Sequence, residues 1–227
     1  VNLIESISQS CDVYFYELAQ RVGIEAMSAM AKRLGCGVRH DLPMSGIAEG
    51  LAPTMQWKAQ NRGAAWVVGD SLNASIGQGF VLSSPLHLAV MTARLATGRA
   101  IVPTLIRSID GISQLPDQAA DIGIDAGHLQ LVQRGMWQVN NDRRGTAYSS
   151  RVEVADYAIA GKTGTSQVRN ITAAERASGV ISNADLLWER RDHALYVGYA
   201  PYDNPRYACS VIVEHGGGGS AAAAPIA

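Results

Sequence analysis

Tyr157-Ala-Ile-Ala-Gly-Lys-Thr-Gly-Thr165 is the stretch on which the reading of this chain turns. Its first five residues make an apolar, β-prone run, and the run ends on a cation, two hydroxyls and a glycine. At the end of a strand, that set suits an anionic acyl donor. Lys162 supplies a fixed positive charge, the Thr163 and Thr165 hydroxyls can bond a carboxylate, and Gly164 lets a substrate backbone approach the strand. The backbone N–H of Thr165 can form half of an oxyanion hole. The same four residues also suit a solvated strand end, so residues elsewhere must decide.

Toward the C-terminus, His193 to Ala200 and Tyr207 to His215 are again β-rich, joined by the turn signal Pro201-Tyr-Asp-Asn-Pro205. Together with Val154 to Thr165 they are expected to be neighbouring antiparallel strands. His215-Gly-Gly-Gly-Gly-Ser220 and Ala221 to Ala224 then read as a flexible turn into a helix. His215 fits either a catalytic imidazole beside a mobile loop or a strand end in a solvent-facing turn.

Toward the N-terminus the pattern is helical. Ser10-Cys-Asp12 precedes the amphipathic run Val13 to Val22, which Gly23 closes, and Ser10 or Asp12 could cap that helix. Leu3 to Ile7 reads as a helix before it. A further helix from Ile24 to Leu34 puts Met27, Met30, Ala31 and Leu34 on one face and stops at Gly35, giving a helical hairpin. Residues 37–69 show no period and read as an irregular connection; Ser71 to Ile76 reads as extended, and Gly77-Gln-Gly79 as a turn. Ser84 caps and Pro85 opens a helix to Thr97, ended by Gly98. Ile101 to Ile109 looks extended, Asp110-Gly111 is a turn, and a polar loop runs to Asp125. Leu129, Val132, Met136 and Val139 then mark a helix of about three turns. The expected fold class is α/β (α+β), one domain with a helical part about 1–150 and a strand-rich part about 151–227.

At 227 residues and 47% apolar the chain can bury a sizeable core. A net charge of -1, with no basic stripe, gives no basis for nucleic-acid binding and suits a small or neutral polymeric substrate. Cys11, Cys36 and Cys209 are too few and odd in number for a disulfide framework and lack metal-finger spacing; Cys11 reads as a buried or reactive thiol. Gly77-Gln-Gly79 has no third glycine at the spacing of a nucleotide loop. The four tryptophans are unclustered in sequence and read as core or groove residues, with Trp66 or Trp188 able to flank a cleft. No apolar run approaches the ~20 residues of a membrane helix. There is no initiator Met or signal peptide, and the chain opens inside what reads as a helix, so it is expected to be a piece of something longer.

Ser10-Cys-Asp12 and Lys162-Thr-Gly164 are two of three motifs of serine acyl-transfer sites that act on penicillins. The third, Ser-x-x-Lys, is absent: no serine here has a lysine three residues on. Glu5-Ser-Ile-Ser-Gln-Ser-Cys-Asp-Val-Tyr-Phe-Tyr16, Ser75-Ile-Gly-Gln-Gly79 with Ser84-Pro-Leu-His-Leu-Ala89, Gly161-Lys-Thr-Gly-Thr-Ser-Gln167 and Asp192-His-Ala-Leu-Tyr-Val-Gly-Tyr-Ala-Pro201 follow in that order. Taken together they resemble the transpeptidase domain of class B penicillin-binding proteins, over essentially the whole chain. Asp12, Arg190-Arg-Asp-His193 and Val213-Glu-His-Gly-Gly-Gly-Gly-Ser220 favour the elongation-specific Gram-negative branch over the division-specific one.

The resemblance implies a penicillin-binding fold, an antiparallel sheet flanked by helices, of which this chain supplies the C-terminal part with the last three strands. It implies a D,D-transpeptidase that crosslinks peptidoglycan stem peptides ending in D-Ala-D-Ala and is trapped by β-lactams, its nucleophile lying upstream, so that this piece alone is expected to be inactive. By motif, Ser10, Asp12 and Lys162 are the catalytic candidates, and Lys162, Thr163, Gly164 and Thr165 bind substrate. Other expected partners are the N-terminal remainder of the domain and a membrane glycan polymerase of the shape-determining class, at the periplasmic face of the inner membrane, anchored by an N-terminal helix outside this chain. No cofactor is required; the resemblance allows a structural zinc on Cys11 with upstream ligands. A division-specific transpeptidase, a D,D-carboxypeptidase and a silent β-lactam sensor or scaffold are the alternatives.

Overall fold

The α-helices of the computed structural model are, in chain order, α1 (Leu3–Ser8), α2 (Asp12–Val22), α3 (Ile24–Arg33), α4 (Met55–Arg62), α5 (Val68–Ser75), α6 (Pro85–Thr97), α7 (Ala126–Asn141) and α8 (Ala173–Ser178). The strands are β1 (Ser108–Ile109), β2 (Ile112–Ser113), β3 (Ala160–Ser166), β4 (His193–Ala200) and β5 (Tyr207–Val213). The structure describes residues 1–115, 119–169 and 171–227. They form two compact parts, one made of Val1 and Cys11–Gln133, the other of Asn2–Ser10 and Arg134–Ala227.

In the first part, Gly23 ends α2 and precedes α3 with φ at 77°, a value glycine adopts freely, which turns the chain between the two helices. Neither Ser10 nor Asp12 caps α2 as expected: Cys11 holds the cap position without a side-chain bond, and Asp12 is already the first helical residue. Two expectations are overturned between residues 37 and 76. The irregular connection contains α4, opened by the Thr54 hydroxyl accepting the Trp57 N–H (3.0 Å) and closed by Gly63 at φ 60°. The segment read as extended is α5, because Asp70 accepts the Val67 N–H (2.8 Å) and is itself held by Lys58 (2.5 Å). A tertiary ion pair thus fixes the start of a helix whose own residues carry little periodicity. Trp57 and Trp66, separate in sequence, both stand beside Phe80, with ring centroids 5.3 and 6.4 Å away.

Helix α6 runs over the expected residues. The Ser84 hydroxyl accepts the His87 N–H (3.3 Å) while His87 Nδ1 accepts the Ser84 N–H (3.0 Å), and His87 Nε2 lies 2.9 Å from the Val38 carbonyl. His87 is fully buried, so this cap is also an anchor. Ser84→Ala is expected to lower stability by about 1 kcal/mol, read as a shift of the urea midpoint; an unmoved midpoint would discount the cap. Only the last two residues of the extended run 101–109 pair in a strand, since Pro103 offers no N–H for a ladder. Asp110 and Gly111, at φ 49° and 81°, make the expected two-residue turn between β1 and β2. Residues 116–118 of the following polar stretch lie outside the described residues.

The second part is built on a sheet of order β3-β4-β5, antiparallel throughout, with Lys162 opposite Val197 and Gly164 opposite Leu195. Strand β4 has the expected bounds; β5 is two residues shorter than read. The run Val154 to Thr165 is not all strand: a 3-10 turn, Ala155–Tyr157, precedes β3, which begins only at Ala160. Helix α7 starts earlier than read, since Asp125 Oδ1 accepts the Gly127 and His128 N–H groups (2.9 and 3.1 Å). Its second half supplies Met136 and Val139 to a core that includes Ala147, Ala160, Ala194 and Tyr196. Ile7 of α1 sits against Gly135, where a β-carbon would lie 2.9 Å from Ile7 Cβ.

The glycine-rich end is not a flexible turn. Gly219–Ala223 forms one wide helical turn followed by a 3-10 turn, and Gly219, Ala223 and Ala224 are buried. A β-carbon on Gly219 would stand 2.3 Å from the Leu195 carbonyl and 2.4 Å from that of Gly164. Only a glycine allows the segment to lie this close to the strands.

Candidate functional site

Helix α1 is short and closed at its start: Asn2 Oδ1 accepts the Glu5 N–H (2.9 Å), and Glu5 Oε2 accepts the Asn2 N–H (3.2 Å). It ends with the Ser10 N–H on the Ile7 carbonyl (3.4 Å) and Ser10 at φ 53°. That left-handed conformation is strained for serine and directs the hydroxyl away from the helix it follows. There it accepts a hydrogen bond from Lys162 Nζ, 152 residues later in the chain. The lysine also donates to the Thr163 carbonyl (2.8 Å). The structure therefore brings together the two residues that the second and third motifs contribute.

Behind this pair, β3 is clamped. The Thr163 and Thr146 hydroxyl oxygens are 2.8 Å apart, and the Thr146 N–H donates to the Ser8 carbonyl (3.1 Å). At Gly161 a β-carbon would meet Tyr196 Oη at 2.1 Å, so the tyrosine lies across the strand where a side chain would be. Tyr196 is almost fully buried and its hydroxyl donates to Asn140 Oδ1 (2.8 Å). Burial raises this phenol well above its ordinary value, which keeps it protonated and donating. Gly164 pairs with Leu195 and exposed Thr165 with Ala194, placing both near the end of β3.

Of the other predicted residues, Asp12 and Cys11 belong to the first compact part and His215 to the second. Asp12 opens α2 and is exposed, where its carboxylate suits the positive end of the helix dipole. Cys11 is half-buried beside Val13, Tyr14, Glu17 and Arg21, and no cluster of three or more His, Cys, Asp or Glu side chains able to hold a metal forms among the described residues. His215 stands half-buried in the turn that follows β5. Its ring lies 4.4 Å from that of Trp188 and 4.7 Å from that of His193, its N–H donates to His193 Nδ1 (2.9 Å), and its Nδ1 is 2.9 Å from the Arg191 carbonyl. The cluster braces the end of β5 against the start of β4.

Sequence reasoning missed Thr146, Asn140 and Tyr196. The signal available for the first was the small-residue triplet Gly145-Thr-Ala147 after a helix, which marks a tight return of the chain. Chemically, a serine hydroxyl bonded to a lysine ammonium can relay a proton and hold developing negative charge, but residues 1–227 carry no Ser-x-x-Lys to be the attacking group.

Known proteins share the sequence and the fold of this chain. The peptidoglycan D,D-transpeptidase MrdA of Acinetobacter baumannii is 36% identical over 98% of this chain and 33% of its own length; that of Haemophilus influenzae is 34% identical over 100% and 35%. The chain thus spans about a third of the length of these curated relatives. Among solved structures, penicillin-binding protein 2 of Pseudomonas aeruginosa in complex with WCK 5153 superposes with TM-score 0.84 at 38% identity, covering 100% of this chain and 47% of the other. The complex of penicillin-binding protein 2 with MreC from Helicobacter pylori gives 0.83 at 31%, covering 100% and 38%. The penicillin-binding protein transpeptidase domain matches residues 1–227, and with the paired motif residues and the antiparallel sheet in place, this chain belongs to that family.

Proposed function

We propose that these residues are the C-terminal part of a serine-type peptidoglycan D,D-transpeptidase of the elongation-specific kind. The observation that carries the reading is the hydrogen bond from Lys162 Nζ to Ser10 Oγ, which joins two motifs at one point beside the β3 edge. An upstream serine attacks the D-Ala-D-Ala carbonyl, its proton passes through the site, and D-alanine leaves as the free amine. An amine from a neighbouring stem peptide then takes the acyl group and restores the serine. Ser10 serves as proton relay; Lys162 holds the relay hydroxyl and supplies positive charge where the oxyanion and substrate carboxylate gather. Thr163 and Thr165 bond that carboxylate, Gly164 keeps the strand edge low, and the Thr165 N–H stabilises the oxyanion. Asp12 orients the second motif. β-Lactams enter by the same attack and remain as the acyl-enzyme.

The partners follow from this reading. Similar solved structures include a complex with MreC and one described as coordinating polymerization and crosslinking in a peptidoglycan synthase complex, the latter at TM-score 0.78 and 29% identity. A membrane glycan polymerase is accordingly the expected partner of the whole protein, at the periplasmic face of the inner membrane. No helix among the described residues is long and apolar enough to cross a membrane; in this reading the anchor is an N-terminal helix outside residues 1–227. A zinc ion on Cys11 would take its other ligands from that remainder and act structurally; no catalytic step runs through it.

Ser10→Ala in the intact protein tests the assignment. Loss of a relay is expected to slow acylation by a fluorescent penicillin about a hundredfold while the circular dichroism spectrum is unchanged. An unaltered rate would reduce Ser10 to a structural residue. Assay of crosslinking against simple D-alanine release separates transpeptidase from carboxypeptidase.

A further inference from the structure

We propose that Thr146 is a positioning residue for the substrate carboxylate: its hydroxyl donates to Thr163 Oγ1, leaving the Thr163 hydrogen to point at the acyl donor. The inference rests on the function assigned above and adds to it a residue outside all three motifs.

Three contacts fix where Thr146 stands. Gly145 folds the chain back onto the end of α7 so closely that a β-carbon there would lie 2.2 Å from the Gln138 carbonyl. The N–H of fully buried Ala147 donates to the Val139 carbonyl (2.9 Å). Between them, the Thr146 N–H is tied to the Ser8 carbonyl (3.1 Å), two residues before Ser10. The side chain is β-branched and stiff about its first torsion, so its oxygen is held 2.8 Å from that of Thr163, the neighbour of Lys162.

The direction of that bond follows from hydrogen count. A hydroxyl has one hydrogen and two lone pairs. If Thr163 donated to Thr146, it would have no hydrogen for an incoming carboxylate, which is acceptor-only when ionised. With Thr146 donating, Thr163 accepts on one side and donates on the other, and each bond polarises the next. Thr146 also ties the Ser10 turn to the Lys162 strand, so one side chain sets both the direction of the carboxylate donor and the spacing of the two motifs.

The test uses the intact protein with a penicillin and its methyl ester, which lacks the ionised carboxylate. Thr146→Val is expected to weaken initial binding of the free acid about tenfold, the worth of one bond to a charged group, and to leave the ester within about twofold. Thr146→Ser should restore the free acid to the wild-type value. Thr146→Ala serves as the second hydroxyl-free variant if valine prevents folding. Equal losses for acid and ester, failure of serine to rescue, or no loss for the acid would each overturn the inference. Where the wild type acylates and Lys162→Ala does not, such a result fells the role of Thr146 alone; a wild type inert to both compounds fells the assigned function with it.

Discussion

Lys162→Ala in the intact protein is expected to slow acylation by a fluorescent penicillin about a thousandfold, past the limit of gel labelling. The size of the effect comes from how much one ammonium holds. It donates to Ser10 Oγ and to the Thr163 carbonyl, so its removal frees the relay hydroxyl, loosens the strand that carries the substrate-binding threonines, and takes away the positive charge beside β3. Preorganised donors in a partly dry site are worth far more than the same contacts in water, because they do not reorganise as charge develops. Arginine should not rescue the loss, since a planar fork cannot put a compact point charge against a serine oxygen on the same stem. Wild-type labelling of the alanine variant would remove Lys162 from the mechanism and with it the proposed function.

Gly161→Ala is the largest expected effect on the fold, at about 3 kcal/mol or more, measured as a loss in urea midpoint. The new β-carbon would fall 2.1 Å from Tyr196 Oη, 2.4 Å from its ring carbon Cζ and 2.5 Å from the Val197 carbonyl. None of these can yield cheaply. Tyr196 is 1% exposed and bonded to Asn140, and Val197 is a paired residue of the central strand. Either Tyr196 leaves its partner or β3 parts from β4, and the second course carries Lys162 out of reach of Ser10. Gly164→Ala is the internal comparison: the nearest atom there is Leu195 Cβ at 3.3 Å, a contact that a few tenths of an ångström relieve. Equal stability losses for the two glycines would show that the Tyr196 crossing does not constrain the strand.

Much of this arrangement was legible because its signals are local. Ser84-Pro85 and Gly98 frame α6 to the residue, and the β-rich run from His193 to Ala200 marks β4. The elements that escaped are those whose cause lies elsewhere in the chain. Helix α5 depends on Lys58 meeting Asp70, twelve positions away, and the glycine-rich end is compact because Gly219 can lie against two strand carbonyls. The site divides in the same way. Ser10 and Lys162 were found through motifs that belong to a shared chemistry, whereas Thr146 bonds a residue 17 positions on and Asn140 one 56 positions on, with no period or motif connecting them. Capping at the start of α2 was misread for a related reason: Ser10 is a good cap residue by type, but its hydroxyl is engaged by a lysine that local reasoning cannot see.

The backbone of Ser10, at φ 53°, sets a limit on how this protein can change. Glycine or asparagine would be more comfortable in that conformation, so drift toward a sturdier chain leads away from the residue whose hydroxyl meets Lys162. Durability and catalytic competence pull position 10 in opposite directions, and selection for thermal robustness alone would be expected to erase the latter first.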